Sequence, residues 1–280
     1  MTPSDARVAA SLAHPRYELI PMRGVEDQLE HLPLGAVVTI TASPTRGLEP
    51  TVDLAAMVAA RGHRVVPHLS ARLVRGPAHL DELLARLTEL EVREVFVIAG
   101  DAPHPAGPYE GAGDLLEAMA EVGADFERVG ISGYPETHGL IPDATTISAM
   151  HRKAPYATHI VSQICFEPAV TRRWVAAVRA RGITLPIHVG LPGVVDRSRL
   201  LRLSLRVGLG DSVRFLSKQA QVGGRLLAGY EPDELVYGLA DLVGDPVQRV
   251  VGWHLFTFNE VERTEAWRQR MLANLQGAAL

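Results

Sequence analysis

Residues 95–101 read Val-Phe-Val-Ile-Ala-Gly-Asp, an unbroken apolar run that ends on a glycine and a carboxylate. With no polar alternation, the run suits a strand of a parallel sheet covered on both faces, not the half-wet strand of an antiparallel sheet. Helical periodicity flanks it, at His79 to Leu90 before and Asp114 to Val122 after. The same unit recurs outward in both directions. Further apolar runs lie at Tyr17 to Ile20, Ala36 to Thr41, Arg64 to Leu69, Arg128 to Tyr134, His159 to Cys165, Leu185 to Leu191 and Arg249 to Phe258. Helical stretches fall at Leu54 to Ala60, Thr145 to Lys153, Ala169 to Arg181 and Arg197 to Arg206. Near-strict alternation of strand and helix over 280 residues predicts an α/β fold, a (β/α)8 TIM barrel. Such barrels carry their chemistry at the C-terminal ends of the strands. There this chain sets Glu18, Thr41, His68, Asp101, Glu136 with His138, Gln163, Pro192, and Thr257 with Asn259. Turn preference accounts for any one of these, less readily for all of them.

Composition bounds the function classes. At 47% hydrophobic and 21% charged residues, with mean hydropathy near zero, the chain can bury a large core and carries no signature of disorder. A formal charge of −4 argues against a nucleic-acid or anionic-membrane surface. The N-terminal residues lack the continuous apolar core of a signal peptide, no stretch reaches transmembrane length, and the single cysteine, Cys165, leaves no internal disulfide. The expectation is one catalytic barrel domain over residues 1–280, with 1–15 as an N-terminal extension, in the cytoplasm. A homo-oligomer built on the outer helices is compatible with the pattern. After the seventh strand the unit is longer than minimal, with helical patterns at Arg197 to Arg206, Ser212 to Ala220 and Pro232 to Leu242; a last helix is expected over Glu260 to Leu275.

Individual residues suggest chemistry. Glu18 stands in an apolar strand, where a carboxylate is costly to bury without a task or a partner. Alternation points it into the barrel, and desolvation there keeps it protonated near neutrality, as a general acid requires. An ion pair with Arg16 or Arg23 is the competing reading. Gly100 lets a ligand approach the backbone beside Asp101. His68 reads equally as a hydrogen-bonded core histidine. Tyr134-Pro135-Glu136-Thr137-His138 brings an aromatic ring, a carboxylate and an imidazole to one strand mouth. Arg152 and Lys153 fit a solvated face or a phosphate. Gln163 offers an amide to a heterocycle, and Cys165 beside it reads as a small core hydrophobe.

Taken in order, these motifs resemble the methylenetetrahydrofolate reductase family, in its short, catalytic-domain-only bacterial form, from about Tyr17 to about Leu272. The matching pieces are Tyr17 to Pro21, the strand ending at Thr41, Pro67-His68-Leu69, Gly100-Asp101-Ala102-Pro103, Tyr134 to His138, Arg152-Lys153, Ser162 to Phe166, Gly190-Leu191-Pro192, and His254 to Asn259. The resemblance implies reduction of 5,10-methylenetetrahydrofolate to 5-methyltetrahydrofolate, electrons passing from NAD(P)H through FAD. It implies Glu18 as the general acid that opens the five-membered ring, and Asp101 as the charge beside the developing cation. Gln163 and Phe166 would hold the folate. Thr41, His68, Gly100, Asp101, Tyr134, His138, Arg152 and Lys153 would hold FAD.

The chain also departs from the family pattern. Ala99 replaces an arginine before Gly100-Asp101, Gly111 a tyrosine, and Thr146 and Ala149 two polar residues upstream of Arg152; the aromatic run after Gln163 shrinks to Ile164-Cys165-Phe166. These changes fall on the cofactor or ligand pocket, while Glu18, Asp101 and Gln163 persist. Other readings are a flavin-independent or reverse-direction methyltetrahydrofolate oxidoreductase, a non-catalytic folate-binding subunit, and a metal-dependent hydrolase using His68, Asp101, Glu136 and His138. No HxH or HExxH spacing supports the last, and the site expectation includes no metal.

Overall fold

A computed structural model describes residues 3–136, 143–196 and 229–277. Its strands are β1 (Arg16–Leu19), β2 (Val37–Ile40), β3 (Arg64–Ser70), β4 (Glu94–Ile98), β5 (Arg128–Gly133), β6 (His159–Ser162), β7 (Ile187–Pro192), β8 (Val195–Asp196), β9 (Gly229–Tyr230) and β10 (Val250–Phe256). Eight of them close into an all-parallel barrel in the order β1-β10-β7-β6-β5-β4-β3-β2, and β8 and β9 form a separate antiparallel pair. The helices are α1 (Pro3–Ala13), α2 (Glu49–Ala59), α3 (Pro77–Glu89), α4 (Ala112–Glu121), α5 (Asp143–Lys153), α6 (Pro168–Ala180), α7 (Asp233–Leu239) and α8 (Val261–Gly277). The protein is therefore a (β/α)8 barrel, as the alternation predicts.

Carried once around the barrel, the strand pairings return displaced by eight residues, the stagger this fold requires. With side chains alternating in and out, that stagger sorts the inward residues into levels of four drawn from alternate strands. From the N-terminal end upward they are Val37, Glu94, His159 and Gly252; Arg16, Val66, Gly130 and His188; Thr39, Phe96, Val161 and His254; Glu18, His68, Ser132 and Gly190; and, at the mouth, Thr41, Ile98, Gln163 and Phe256. Val66, Phe96 and Val161 form an apolar cluster inside the barrel, with Val37 and Ile98 against it. The other side of the interior is polar. The main core lies outside the strands, beneath the helices, and includes the fully buried Trp253 and Trp267.

Element boundaries differ from the periodicity reading for identifiable reasons. Helix α2 starts at Glu49, five residues before the predicted Leu54, because Pro50 in its first turn is preorganised for a helix start. Strand β6 stops at Ser162, three residues short of Cys165, because the Gln163 side-chain oxygen accepts from the Ile164 N–H at 2.8 Å and turns the chain. Residues 1–15 hold α1, which packs on α8 through Arg268, whose guanidinium donates to the Leu12 carbonyl at 2.9 Å. The helical patterns predicted at Arg197 to Arg206 and Ser212 to Ala220 lie outside the described residues. Of the Pro232 to Leu242 pattern, Asp233–Leu239 is helical.

Candidate active site

Glu18 enters the barrel from β1 one level below the mouth, and its side chain is only 12% exposed. Its Oε2 lies 3.1 Å from His254 Nε2 and 3.8 Å from His68 Nε2. Neither Arg16 nor Arg23 pairs with it. Arg16 points into a level nearer the N-terminal end, where it forms an ion pair with Glu94. Burial pushes the Glu18 carboxyl up to about 7, against the opposing pull of His68. Burial also lowers His68 to about 4, the nearby Glu18 opposing, and His254 to about 3, with Arg16 adding to the effect. From about pH 4 to about 7 Glu18 is therefore a neutral acid facing two neutral imidazoles. In that state the 3.1 Å contact is a hydrogen bond between Glu18 Oε2 and His254 Nε2, its direction set by the imidazole tautomer.

Around the mouth, Thr41 and Gln163 sit half-buried in the top level with Phe256 and Ile98. Gly100 follows β4 at φ 88°, and a Cβ there would overlap Ser70 Oγ, which donates to the Ala99 carbonyl at 3.2 Å. The glycine is thus required by its own loop, whatever lies above it. Asp101 is exposed, and its charge adds to the burial that raises the Tyr134 hydroxyl. Glu136 is buried close to Cys165, whose thiol donates to the Glu167 carbonyl at 3.4 Å and is pushed up to about 12, chiefly by burial. Phe166 is 2% exposed and packs into the core, not into the mouth. His138 lies outside the described residues.

The basic pair divides. Lys153 is 6% exposed, its ammonium 3.4 Å from the Ser132 carbonyl and 3.5 Å from Ser132 Oγ, and burial lowers it to about 8. Arg152 turns onto α4, with one terminal nitrogen 2.7 Å from Asp114 and its Nε and other terminal nitrogen 2.8 and 2.6 Å from Glu117. Two carboxylates leave that guanidinium with no net charge to offer a pyrophosphate, and would repel one. With Ala99 where a cation is usual, the described residues leave Lys153 as the sole basic group of the pair free to face a diphosphate. They do not fit the pyrophosphate of FAD. Among the described residues no three His, Cys, Asp or Glu side chains group to hold a metal ion.

Sequence reasoning misses two members of the site. His254 is the nearest partner of Glu18, and its signal is the His254 to Asn259 motif, which the sequence alone presents only as a family marker. Phe256, two residues on, holds a half-buried ring at the mouth, the place the sequence reading gives to Phe166. Thr257 and Asn259 are structural: Thr257 Oγ1 donates to the Glu18 carbonyl at 2.5 Å, and the Asn259 amide donates to and accepts from the Ile20 backbone at 2.9 Å each way, fixing β1 against β10.

Known proteins place the chain. A rice protein (Oryza sativa subsp. japonica) named "Probable methylenetetrahydrofolate reductase (NADH)" is 24% identical over 143 residues, 45% of this chain and 24% of the relative. "Methylenetetrahydrofolate reductase 2" of Saccharomyces cerevisiae is 23% identical over 134 residues, 44% of this chain and 22% of the relative. The chain thus spans about a quarter of the length of these curated relatives. A solved structure of a conserved Enterococcus faecalis protein of unknown function covers 95% of this chain and 66% of its own at 14% identity, TM-score 0.48, too distant to bear on function. No described helix is long and apolar enough to cross a membrane. The methylenetetrahydrofolate reductase family model matches residues 24–207, well over half the chain but short of both Glu18 and His254, and the protein belongs to that family.

Proposed function

We propose that this barrel reduces 5,10-methylenetetrahydrofolate to 5-methyltetrahydrofolate, with NAD(P)H as the source of the hydride and Glu18 as the general acid. The observation that carries the reading is the Glu18 level: a carboxyl held protonated near pH 7, one level beneath the barrel mouth. Glu18 gives its proton to N10 as the C–N10 bond of the five-membered ring breaks, leaving a cationic N5 iminium. Hydride then adds to the exposed methylene carbon. Asp101, exposed at the rim, stabilises that cation by charge, and Gln163 and Phe256 orient the pterin by hydrogen bonding and stacking. Folate would be the small-molecule partner.

The family resemblance implies FAD as the carrier between nicotinamide and folate, held by Thr41, His68, Gly100, Asp101, Tyr134, His138, Arg152 and Lys153. Arg152 is committed to Asp114 and Glu117 and takes no part in the steps above. The same observation favours a second reading, direct hydride transfer from nicotinamide to folate, with the direction set by metabolite levels. Titration of purified protein with FAD, read by quenching of flavin fluorescence, separates the two. Saturable one-to-one binding supports the flavin carrier; absence of binding, with NAD(P)H-dependent turnover intact, supports direct transfer. Absence of any turnover of methylenetetrahydrofolate refutes both.

A further inference from the structure

Below Glu18, ionisable side chains continue down the barrel to its other end. His254 occupies the next level, His188 the one beneath, and His159 with Glu94 the lowest. The rings of His159 and His188 stand edge to face with centroids 5.4 Å apart. Burial, with the charges of Arg16 and Arg128 nearby, holds His188 well below the ordinary imidazole value. His159 Nε2 lies 3.1 Å from Glu94 Oε1, off the line of a straight hydrogen bond, while its Nδ1 contacts Thr158 Oγ1 at 3.1 Å. Glu94 reaches solvent at the N-terminal end through Arg128, 3.4 Å away and itself 47% exposed. Arg16, beside the column, is neutralised by Glu94.

Four buried ring nitrogens in this column have no hydrogen-bond partner among the described residues: His254 Nδ1, both nitrogens of His188, and His159 Nε2. Leaving a buried polar atom unpaired costs about 1–3 kcal/mol, so four in one column call for internal water shared between the rings. Imidazoles spaced by water pass protons, because each ring accepts at one nitrogen while releasing at the other.

We propose that His254, His188 and His159 form a proton relay that resupplies Glu18 from the end of the barrel opposite the active site. The relay rests on the reading of Glu18 as the general acid. Each turnover moves one hydride to the methylene carbon and one proton to N10, so Glu18 ends as a carboxylate and must regain a proton. Above it stand Thr41, Ile98, Gln163 and Phe256, and a pterin bound on them closes the mouth. His254 releases its Nε2 proton to the carboxylate and takes another at Nδ1. The deficit passes through His188 and His159 to solvent beside Glu94, which balances the reaction without a further reactant.

The experiment compares wild-type enzyme with His188→Gln and His188→Ala, in single and multiple turnover with methylenetetrahydrofolate and NADH or NADPH, in H2O and D2O. Glutamine keeps hydrogen bonding but has no basic nitrogen. The first turnover, which uses the proton already on Glu18, is expected to stay near the wild-type rate. The steady rate is expected to fall about tenfold or more, with a larger solvent isotope effect, and added imidazole to restore part of it in His188→Ala. An unchanged steady rate and isotope effect overturns the relay, as does an equal fall in first and later turnovers, which marks a merely positional role. If wild-type enzyme turns over and the variants match it, only the relay fails; if wild-type enzyme is inert, the acid assignment fails and takes the relay with it.

Discussion

Replacing Glu18 with glutamine tests the acid assignment through activity and stability at once, with opposite signs. The folded carboxyl titrates near 7 against an ordinary 4.5, a difference of about 2.5 units, or roughly 3 kcal/mol as an upper bound. Because the folded value is raised, the folded state binds the proton more tightly than the unfolded one. That stabilising contribution is complete below about pH 4.5 and is lost as pH rises through about 7. Glutamine does not titrate, so the stability of Glu18→Gln relative to wild type should climb by up to about 3 kcal/mol between pH 4.5 and 8. Urea unfolding at several pH values reads this directly, since titrations other than those of Glu18 and the His68 coupled to it are common to both proteins and cancel. Turnover should move the other way. Loss of a general acid costs about 10²–10⁴ in rate, and the wild-type rate should fall above pH 7 as Glu18 ionises. A stability difference that stays flat from pH 4.5 to 8 refutes the claim that burial keeps this carboxyl protonated. Turnover of Glu18→Gln equal to wild type refutes its role as acid.

Three further outcomes follow from the same geometry. His254, held neutral by burial at about 3, contributes stability that is present above about pH 6.5 and lost as pH falls through 3; His254→Gln should shallow the acid limb of unfolding followed by circular dichroism. Gly100→Ala, which places a Cβ on Ser70 Oγ at φ 88°, should lower stability by about 1–3 kcal/mol in thermal melts, and Ser70→Gly should recover the part due to the clash. Arg16→Met removes the buried cation from Glu94, leaving it His159 and the half-exposed Arg128, and should cost about 3 kcal/mol in urea unfolding, whereas the double change with Glu94→Leu should recover most of it.

Strand existence is legible in the sequence because parallel barrel strands are buried on both faces, and an unbroken run such as Val95 to Ala99 fits little else. The inward direction of Glu18 is legible from the period of two. Its partners are not. That His68 and His254 share its surroundings depends on a stagger of eight residues accumulated around the whole barrel, which no local pattern encodes. The same stagger accounts for Arg16, two residues before Glu18 and on the same face, serving Glu94 instead: it lies two levels deeper in a closed cylinder. Arg152 shows a further limit. Adjacent positions on a helix point about 100° apart, so Arg152 and Lys153, neighbours in the chain, face different surroundings, the first meeting the carboxylates of α4 and the second the end of β5. Glu18, Gln163 and Phe256 lie at or just below the mouth, as the proposed acid-assisted hydride transfer needs, while Arg152, which the family resemblance assigns to a diphosphate, is held in an ion pair with Asp114 and Glu117. On the proposed reading, the acid chemistry belongs to the interior levels of the barrel, and the test of the hydride carrier lies at one helix turn outside them.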